Sequence, residues 1–158
     1  MKLKYKTILY CTLTALLIIL DMLTKIYLDG KNITLINGVL SFLSSHNTGA
    51  GFSILSNKTL FLIIITSAFL LIFTLFNMFE KFKLSHLYLT SIALIYAGAI
   101  GNLIDRLMFG YVRDFIYFEL IDFPIFNIAD ICLTVGVTLY AINFLFFNKN
   151  KKEQNNAI

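Results

Sequence analysis

The sequence has few of the residues from which common metal sites and nucleophile sites are built. Its two histidines, His46 and His86, are far apart and lack HExxH spacing, so zinc chemistry is not expected. There is no GxSxG motif, and a serine nucleophile would have only His46 as its base. The two cysteines, Cys11 and Cys132, lie inside apolar segments, which predicts small core residues rather than a disulfide or a CxxC metal site.

Charge and proline are also scarce. Of the 158 residues, 14% are charged, 58% are hydrophobic and one is proline, and the mean hydropathy is +0.80. This is far more apolar than a soluble domain of this size needs. The net charge of +4 comes from short basic clusters at the ends of apolar runs, which favours a membrane protein over a nucleic-acid partner.

Four apolar segments are long enough to cross a bilayer, which takes about 20 residues at about 1.5 Å each. They cover residues 7–28, 60–79, 84–107 and 125–147, approximately. The sequence therefore predicts an all-α membrane protein, a four-helix bundle forming a single integral membrane domain over residues 1–158. The N-terminus has the basic head of a signal peptide and an apolar body over residues 7–20, but Asp21 and Lys25 follow instead of a small-residue cleavage site, so we expect this segment to be retained.

The basic residues predict the orientation of the bundle. Eight of them fall on one side: Lys2, Lys4, Lys6, Lys81, Lys83, Lys149, Lys151 and Lys152. Three fall on the other side, namely Lys31, Lys58 and Arg113, so the positive-inside rule makes both termini cytoplasmic.

This orientation places polar residues of three helices at one depth, toward the outer face of the membrane. These residues are Asp21 and Lys25 in the first helix, residues 102–106 in the third and residues 127–130 in the fourth. The spacings i,i+4 and i,i+3 put each set on one helix face. Charged groups beside hydrocarbon are costly to desolvate, so the cluster is a candidate functional site.

The two outer loops cover residues 29–59 and 108–124, approximately. In the first, apolar stretches flank Asn37-Gly38, a dipeptide that suits a type I′ turn, which predicts a small extracytoplasmic β-hairpin or sheet. Gly49 and Gly51 follow it and are expected to let the backbone approach a ligand closely. The second loop is rich in aromatic residues, which predicts an interfacial loop or helix, with Pro124 at the entry to the fourth helix.

Elimination leaves carboxylates as the catalytic candidates, and Asp114 and Asp130 bracket the second outer loop. Two carboxyls in close contact share one proton, so one can act as base and the other as acid when water attacks an amide. Each carboxylate also has a structural alternative. Asp130 would neutralise Arg106, and Asp21 would pair with Lys25. Asp114 would be a solvated loop residue beside Arg113.

Five short motifs occur in order along the chain. They are DMLTK at 21–25, HNTGAGFS at 46–53, GAIGNLIDR at 98–106, VRDF at 112–115 and FNIAD at 126–130. Together they resemble the motifs of lipoprotein signal peptidase, also called signal peptidase II. The resemblance implies an aspartic endopeptidase of the bacterial cytoplasmic membrane. Such an enzyme removes the signal peptide from diacylglyceryl-modified prolipoproteins, cleaving just before the lipidated cysteine, and needs no metal or cofactor.

The resemblance also implies roles for residues. Asp114 and Asp130 would form the catalytic dyad. The supporting or substrate-binding residues would be Asn47, Gly49, Asn102, Arg106, Asn127, Asp21, Lys25 and Asp105, the last with an open role. Two positions depart from the usual motifs: Gly51 is expected to loosen its loop, and Arg113 to lower the pKa of Asp114. The expected partners are membrane lipids and the lipid-modified prolipoprotein, with no nucleic acid, and the chain is expected to act as a monomer.

Two other classes of function compete with this interpretation. In a small transporter or channel subunit, Asp21, Asp105 and Asp130 would form a proton or cation path. Such a path needs polar residues at successive depths, whereas residues 60–79 and 131–147 contain no charge. A structural subunit of a larger complex would explain the apolar helices but not the clustered polar residues.

Overall fold

The computed structural model describes residues 2–49, 55–79, 85–121 and 123–155. Its helices are α1 (Lys2–Leu28), α2 (Thr59–Phe79), α3 (His86–Phe109) and α4 (Ile128–Asn155). Within this part of the chain, four helices are long and apolar enough to cross a membrane. The predicted four-helix architecture is therefore confirmed.

Helix α3 lies at the centre of the bundle and packs closely against α4. A Cβ atom on Gly98 would lie 2.4 Å from the Ala129 carbonyl oxygen, and one on Gly136 would lie 2.8 Å from the Ile95 nitrogen. Small residues let helix backbones approach in this way inside membranes. Cys132 on α4 is buried as predicted, but Cys11 on α1 is exposed, so the expectation that both are core residues was wrong for Cys11.

The C-terminus of helix α3 is capped, and the chain leads from it into a β-strand. The helix ends at Phe109, and the next residue, Gly110, adopts the left-handed conformation (φ 81°) and donates its N–H to the Arg106 carbonyl. Glycine suits this position because it has no Cβ to clash. The chain then enters a strand two residues later, at Val112.

Three antiparallel strands form a sheet in the order β1 (Asn32–Ile36), β2 (Leu40–Asn47) and β3 (Val112–Phe118). The predicted hairpin between β1 and β2 is confirmed. Its turn is not type I′, because only Gly38 has a positive φ (71°), whereas type I′ requires it at Asn37 as well. The turn is closed by the Val39 N–H, which donates to the Ile36 carbonyl at 3.0 Å.

Strand β3 was not predicted, because the second outer loop was expected to be an interfacial loop or helix. Instead, β3 pairs with β2, a short 3₁₀ turn (Glu119–Ile121) follows, and Phe126 then bridges Ile116. Pro124 lies in the extended segment before this bridge. It does not open the fourth helix, which begins only at Ile128.

The sheet lies at one end of the bundle, where α1 and α3 end and where α2 and α4 begin. We call this the sheet end and the opposite one the far end. This arrangement brings residues from β2, β3 and three helices to one place.

Candidate active site

Asp114 projects from β3 and is held by two amide side chains. It is 3% exposed. Asn47 Nδ2 donates to its Oδ2 at 3.0 Å, and Asn127 Nδ2 donates to its Oδ1 at 2.7 Å. Asn47 reaches it because β2 and β3 pair side by side. The alternative in which Asp114 is a solvated loop residue is therefore contradicted.

Asp130 is fixed by the N-terminus of α4. Asn127 Oδ1 accepts the Asp130 N–H at 2.9 Å, while Asp130 Oδ2 accepts the Asn127 N–H at 3.1 Å. This reciprocal pair is a capping box, in which two otherwise unpaired helix N–H groups are satisfied. Asn102 Nδ2 donates to the other oxygen, Oδ1, at 2.7 Å. Asn127 thus contacts both Asp114 and Asp130 and joins the two carboxylates.

Both carboxylates line a cavity of about 710 Å³. Five of the predicted site residues face it: Asn47, Asn102, Arg106, Asp114 and Asp130. The rest of the lining is largely apolar; this apolar wall includes residues 123–126 and Ile131, Leu133 and Val135 of α4. Ile131 and Val135 are each 43% exposed. The cavity can therefore hold a ligand with a polar part and a long apolar part.

The environment of Asp114 suits acid–base chemistry near neutral pH. Burial, and then the charge of Asp130, raise the pKa of Asp114 to about 7, against the lowering effect of the hydrogen bonds from Asn47 and Asn127. The expectation that Arg113 lowers this pKa was wrong, because the Arg113 guanidinium binds Asp105 instead. A carboxyl that titrates near neutral pH can hold the proton that a carboxylate pair shares.

The predicted pair on α1 is present and lies behind the cavity. Lys25 Nζ is 2.7 Å from Asp21 Oδ2, and both side chains are buried. Lys25 also donates to Asn102 Oδ1 at 3.0 Å, and Asp21 Oδ1 accepts the Ala129 N–H at 2.9 Å. Helix α1 therefore supports both the amide that binds Asp130 and the first turn of α4.

Arg106 extends along the polar wall of the cavity. Its Nη2 donates to the Gly49 carbonyl at 2.8 Å, and the Gly49 N–H donates to Asn47 Oδ1 at 2.9 Å. No ion pair within 4 Å joins Arg106 to Asp130 in the described part of the chain, so that structural alternative is not supported. Gly51, the other predicted glycine, lies outside the described residues.

Asp105, whose role the sequence left open, is buried behind β3. It accepts the backbone N–H of Arg113 at 2.9 Å and its guanidinium at 2.7 Å, and it lies 3.6 Å from Lys25. Asp21, Asp105 and Asp130 thus meet at one end of the bundle. They do not line a route across it, which argues against the ion-path alternative.

Sequence reasoning missed two features of the site. One is the double role of Asn127 as a helix cap and a link between carboxylates, which the spacing Asn-x-x-Asp at 127–130 signals as a capping box. The other is the apolar wall, whose residues Ile131 and Val135 lie one helical turn apart. Nothing in their type distinguishes them from lipid-facing residues.

Comparison with known proteins agrees with this geometry. Residues 13–146 match the family model described as "Signal peptidase (SPase) II". The chain is 37% identical to the lipoprotein signal peptidase of Enterococcus faecalis over 156 residues, which cover 95% of this chain and 96% of that protein. It is 40% identical to the lipoprotein signal peptidase of Lactobacillus johnsonii over 153 residues, 92% of this chain and 97% of that protein.

Two solved structures are similar over nearly the whole chain. One, described as a bacterial membrane enzyme at 2.3 Å resolution, has a TM-score of 0.81 and 37% identity, and the match covers 91% of this chain and 92% of that one. The other, a bacterial membrane enzyme at 1.9 Å resolution, has a TM-score of 0.74 and 36% identity, covering 86% and 92%. The chain therefore belongs to the signal peptidase II family, membrane peptidases that cleave signal peptides from prolipoproteins.

Proposed function

We propose that Asp114 and Asp130 form the catalytic dyad of this peptidase, which cuts diacylglyceryl-modified prolipoproteins just before the lipidated cysteine. The observation that carries the proposal is the position of Asn127, which donates to Asp114 and to Asp130 and holds both carboxylates at one cavity. Two carboxylates that are held at one cavity by the same residue favour sharing one proton.

The reaction follows from that shared proton. The ionised carboxylate takes a proton from water as the water oxygen bonds to the scissile carbonyl carbon. The protonated carboxyl donates a hydrogen bond to the carbonyl oxygen, where negative charge develops. As the tetrahedral intermediate collapses, the carbon–nitrogen bond breaks and the leaving nitrogen receives a proton from the dyad. The dyad then again holds one proton.

The remaining site residues position the dyad and the substrate. Asn47, Asn102 and Asn127 hold the two carboxylates through the hydrogen bonds described above. Arg106 and Gly49 are placed to orient the peptide along the polar wall. Asp21, Lys25 and Asp105 support these residues from behind. None of these roles requires a metal or a cofactor.

The two walls of the cavity fit the two parts of a lipidated precursor. The polar wall suits the peptide at the cleavage point, and the apolar wall of α4 suits the diacylglyceryl chains. Because such a substrate stays in the bilayer, its peptidase needs polar catalysts at membrane depth. The asymmetry of lysine and arginine supports cytoplasmic termini and a site toward the outer face. The chain acts as a monomer, as one membrane domain surrounded by lipids.

A matched pair of substrates tests the proposal. The purified protein is incubated with one prolipoprotein in two forms, with and without the diacylglyceryl group on its cysteine, and the products are identified by mass spectrometry. We expect cleavage only of the modified form, with cysteine as the new N-terminal residue. Equal cleavage of both forms, or a cut at another bond, would refute the assigned specificity.

A further inference from the structure

Strand β3 forms an edge of the sheet, and two contacts hold that edge on either side of Asp114. On one side the Arg113 N–H points away from β2 and donates to Asp105 Oδ2 at 2.9 Å. On the other side, the N–H groups of Phe115 and Ile116 both donate to the Phe126 carbonyl, at 3.0 and 2.8 Å. The backbone on one side of Asp114 is therefore bonded to α3, and the backbone on the other side is bonded to the segment that leads into α4.

The contact with Asp105 has the larger number of hydrogen bonds of the two. Its carboxylate accepts three N–H groups from Arg113: the backbone N–H, Nε at 3.3 Å and Nη2 at 2.7 Å. Asp105 is 0% exposed and Arg113 is 5% exposed. Charge-assisted hydrogen bonds of this kind are shorter and stronger than neutral ones. A buried edge N–H without such a partner would be unpaired.

The Arg113 side chain does not face the cavity. Side chains alternate along a strand, so Arg113 and Asp114 point to opposite faces of β3. The guanidinium packs against Asp105 and over the Phe109 ring, at 4.5 Å from its centroid. Arg113 therefore neutralises Asp105, and Lys25, 3.6 Å from Asp105, stays bound to Asp21 and Asn102.

We propose that Asp105 is a positioning residue that sets the place of Asp114 by holding the Arg113 N–H, and that the Arg113 guanidinium serves to neutralise the buried Asp105 carboxylate. The inference rests on the proposed function of Asp114. Asp105 has two roles in this proposal: it accepts the backbone N–H of Arg113, and it carries a negative charge. When the charges of Asp105 and Arg113 are both removed, we expect that only the acceptor role is still needed for activity.

Two double variants separate these roles. Asp105→Asn with Arg113→Leu removes both charges but leaves an amide oxygen to accept the N–H of residue 113. Asp105→Leu with Arg113→Leu removes both charges and the acceptor. We expect the first to keep kcat within a few-fold of the parent, and the second to lose about 10- to 100-fold in kcat, because a displacement of about 1 Å at a catalytic group has that effect. KM should be similar in both.

A third variant and a structural measurement complete the test. Asp105→Glu keeps the charge and the acceptor but lengthens the side chain, so it should lower kcat in a folded protein. Amide hydrogen exchange over residues 112–118 should be faster in the Leu double variant than in the Asn double variant. The exposed Lys31→Leu, which removes a cation elsewhere, should match the parent in every measurement.

The outcomes distinguish this inference from the proposed function. If the two double variants have equal kcat and equal exchange, or if Asp105→Glu retains the parental kcat, the positioning role is wrong. If the parent itself does not cleave the substrate, the proposed function fails, and the exchange difference still decides whether Asp105 holds β3. Should the Leu double variant not fold, Asp105→Glu decides the question.

Discussion

Polar side chains meet inside the helix bundle at both ends, but the two clusters differ in kind. At the far end, Asn77 Oδ1 accepts the hydroxyls of Tyr88 and Tyr140 at 2.5 and 3.3 Å, and Asn143 donates to Ser85 at 3.2 Å. All these side chains are neutral. At the sheet end the cluster is built from buried acids and bases, and the cavity lies beside it.

The difference between the two clusters shows which kind of buried polar residue indicates a catalytic site. Neutral hydrogen bonds between α2, α3 and α4 at the far end tie helices together at little desolvation cost. Buried charges are costly, and apolar replacements of a buried ion pair are often no less stable. A cluster of charges beside a cavity therefore has little value for stability alone, and its position at the carboxylate pair points to catalysis.

The largest contrast is expected from removing one polar residue at each end. Lys25→Met leaves Asp21 without its buried partner and removes one hydrogen bond to Asn102, so we expect a loss of about 3–5 kcal/mol of stability and of most activity. Asn77→Leu at the far end should lose about 1–3 kcal/mol with unchanged activity per folded molecule. Denaturation in detergent and the cleavage assay measure both. Equal activity of the two variants would break the comparison.

The cost of charge at the sheet end predicts how stability depends on pH. Since the pKa of Asp114 is raised to about 7, the folded state keeps a proton that the unfolded state loses near its ordinary value of 3.8. Stability from this residue is thus present at low pH and is lost as the pH rises toward 7.

Asp114→Asn removes this dependence. From about pH 4 to about pH 8 the stability of the variant relative to the parent should rise by up to about 4 kcal/mol, which is about three pKa units at about 1.4 kcal/mol each. Thermal unfolding at both pH values measures the difference. A constant difference between the two proteins at all pH values would show that Asp114 is not perturbed by its burial.

Two glycines at the contact between α3 and α4 allow a further comparison of the sheet end with the rest of the bundle. Both Gly98→Ala and Gly136→Ala push a Cβ against backbone atoms of the neighbouring helix and should cost about 1–3 kcal/mol. Of these two glycines, Gly98 contacts Ala129, the residue before Asp130, and Gly136 does not, so only Gly98→Ala should also lower kcat of the folded enzyme. If Gly136→Ala lowers kcat as much, the activity loss reflects general loosening of the bundle.

The smallest effect is expected from the amide on β2. Asn47 donates to the Asp114 carboxylate, which lowers the pKa of Asp114, so Asn47→Ala should raise it. Because the proposed mechanism needs the shared proton, the fall in kcat at high pH should move upward by about one pH unit. Asn143→Ala at the far end should leave the profile unmoved. A downward shift for Asn47→Ala would reverse the assigned role of this hydrogen bond.

Much of the fold follows from the sequence because apolar length and loop charge are local signals. The four helices and the hairpin of β1 and β2 are of this kind. Strand β3 is not, because Arg113 and Asp114 are both buried and interrupt the apolar alternation that would reveal a strand. The start of α4 was also misplaced, since Asn127 rather than Pro124 caps it.

The sequence predicted the carboxylate, amide and guanidinium side chains that meet at the cavity, and the pair of Asp21 and Lys25 within one helix, but not the pairings between different elements. Ordered motifs and equal depth point to Asp114, Asp130 and their amides. The pairing of basic and acidic residues from different elements depends on tertiary contacts. Arg113 was expected to lower the pKa of the adjacent Asp114, but it binds Asp105, across the turn after α3. Adjacent strand residues face opposite sides, so neighbours in sequence are separated in space.

The most direct test of the central claim is cleavage of the diacylglyceryl-modified prolipoprotein by Asp114→Asn and Asp130→Asn, each checked for folding in detergent. The dyad account predicts that each folded variant loses about 10²- to 10⁴-fold in kcat, since each removes a proton-transferring group. A folded variant of either residue that cleaves at the parental rate would contradict it.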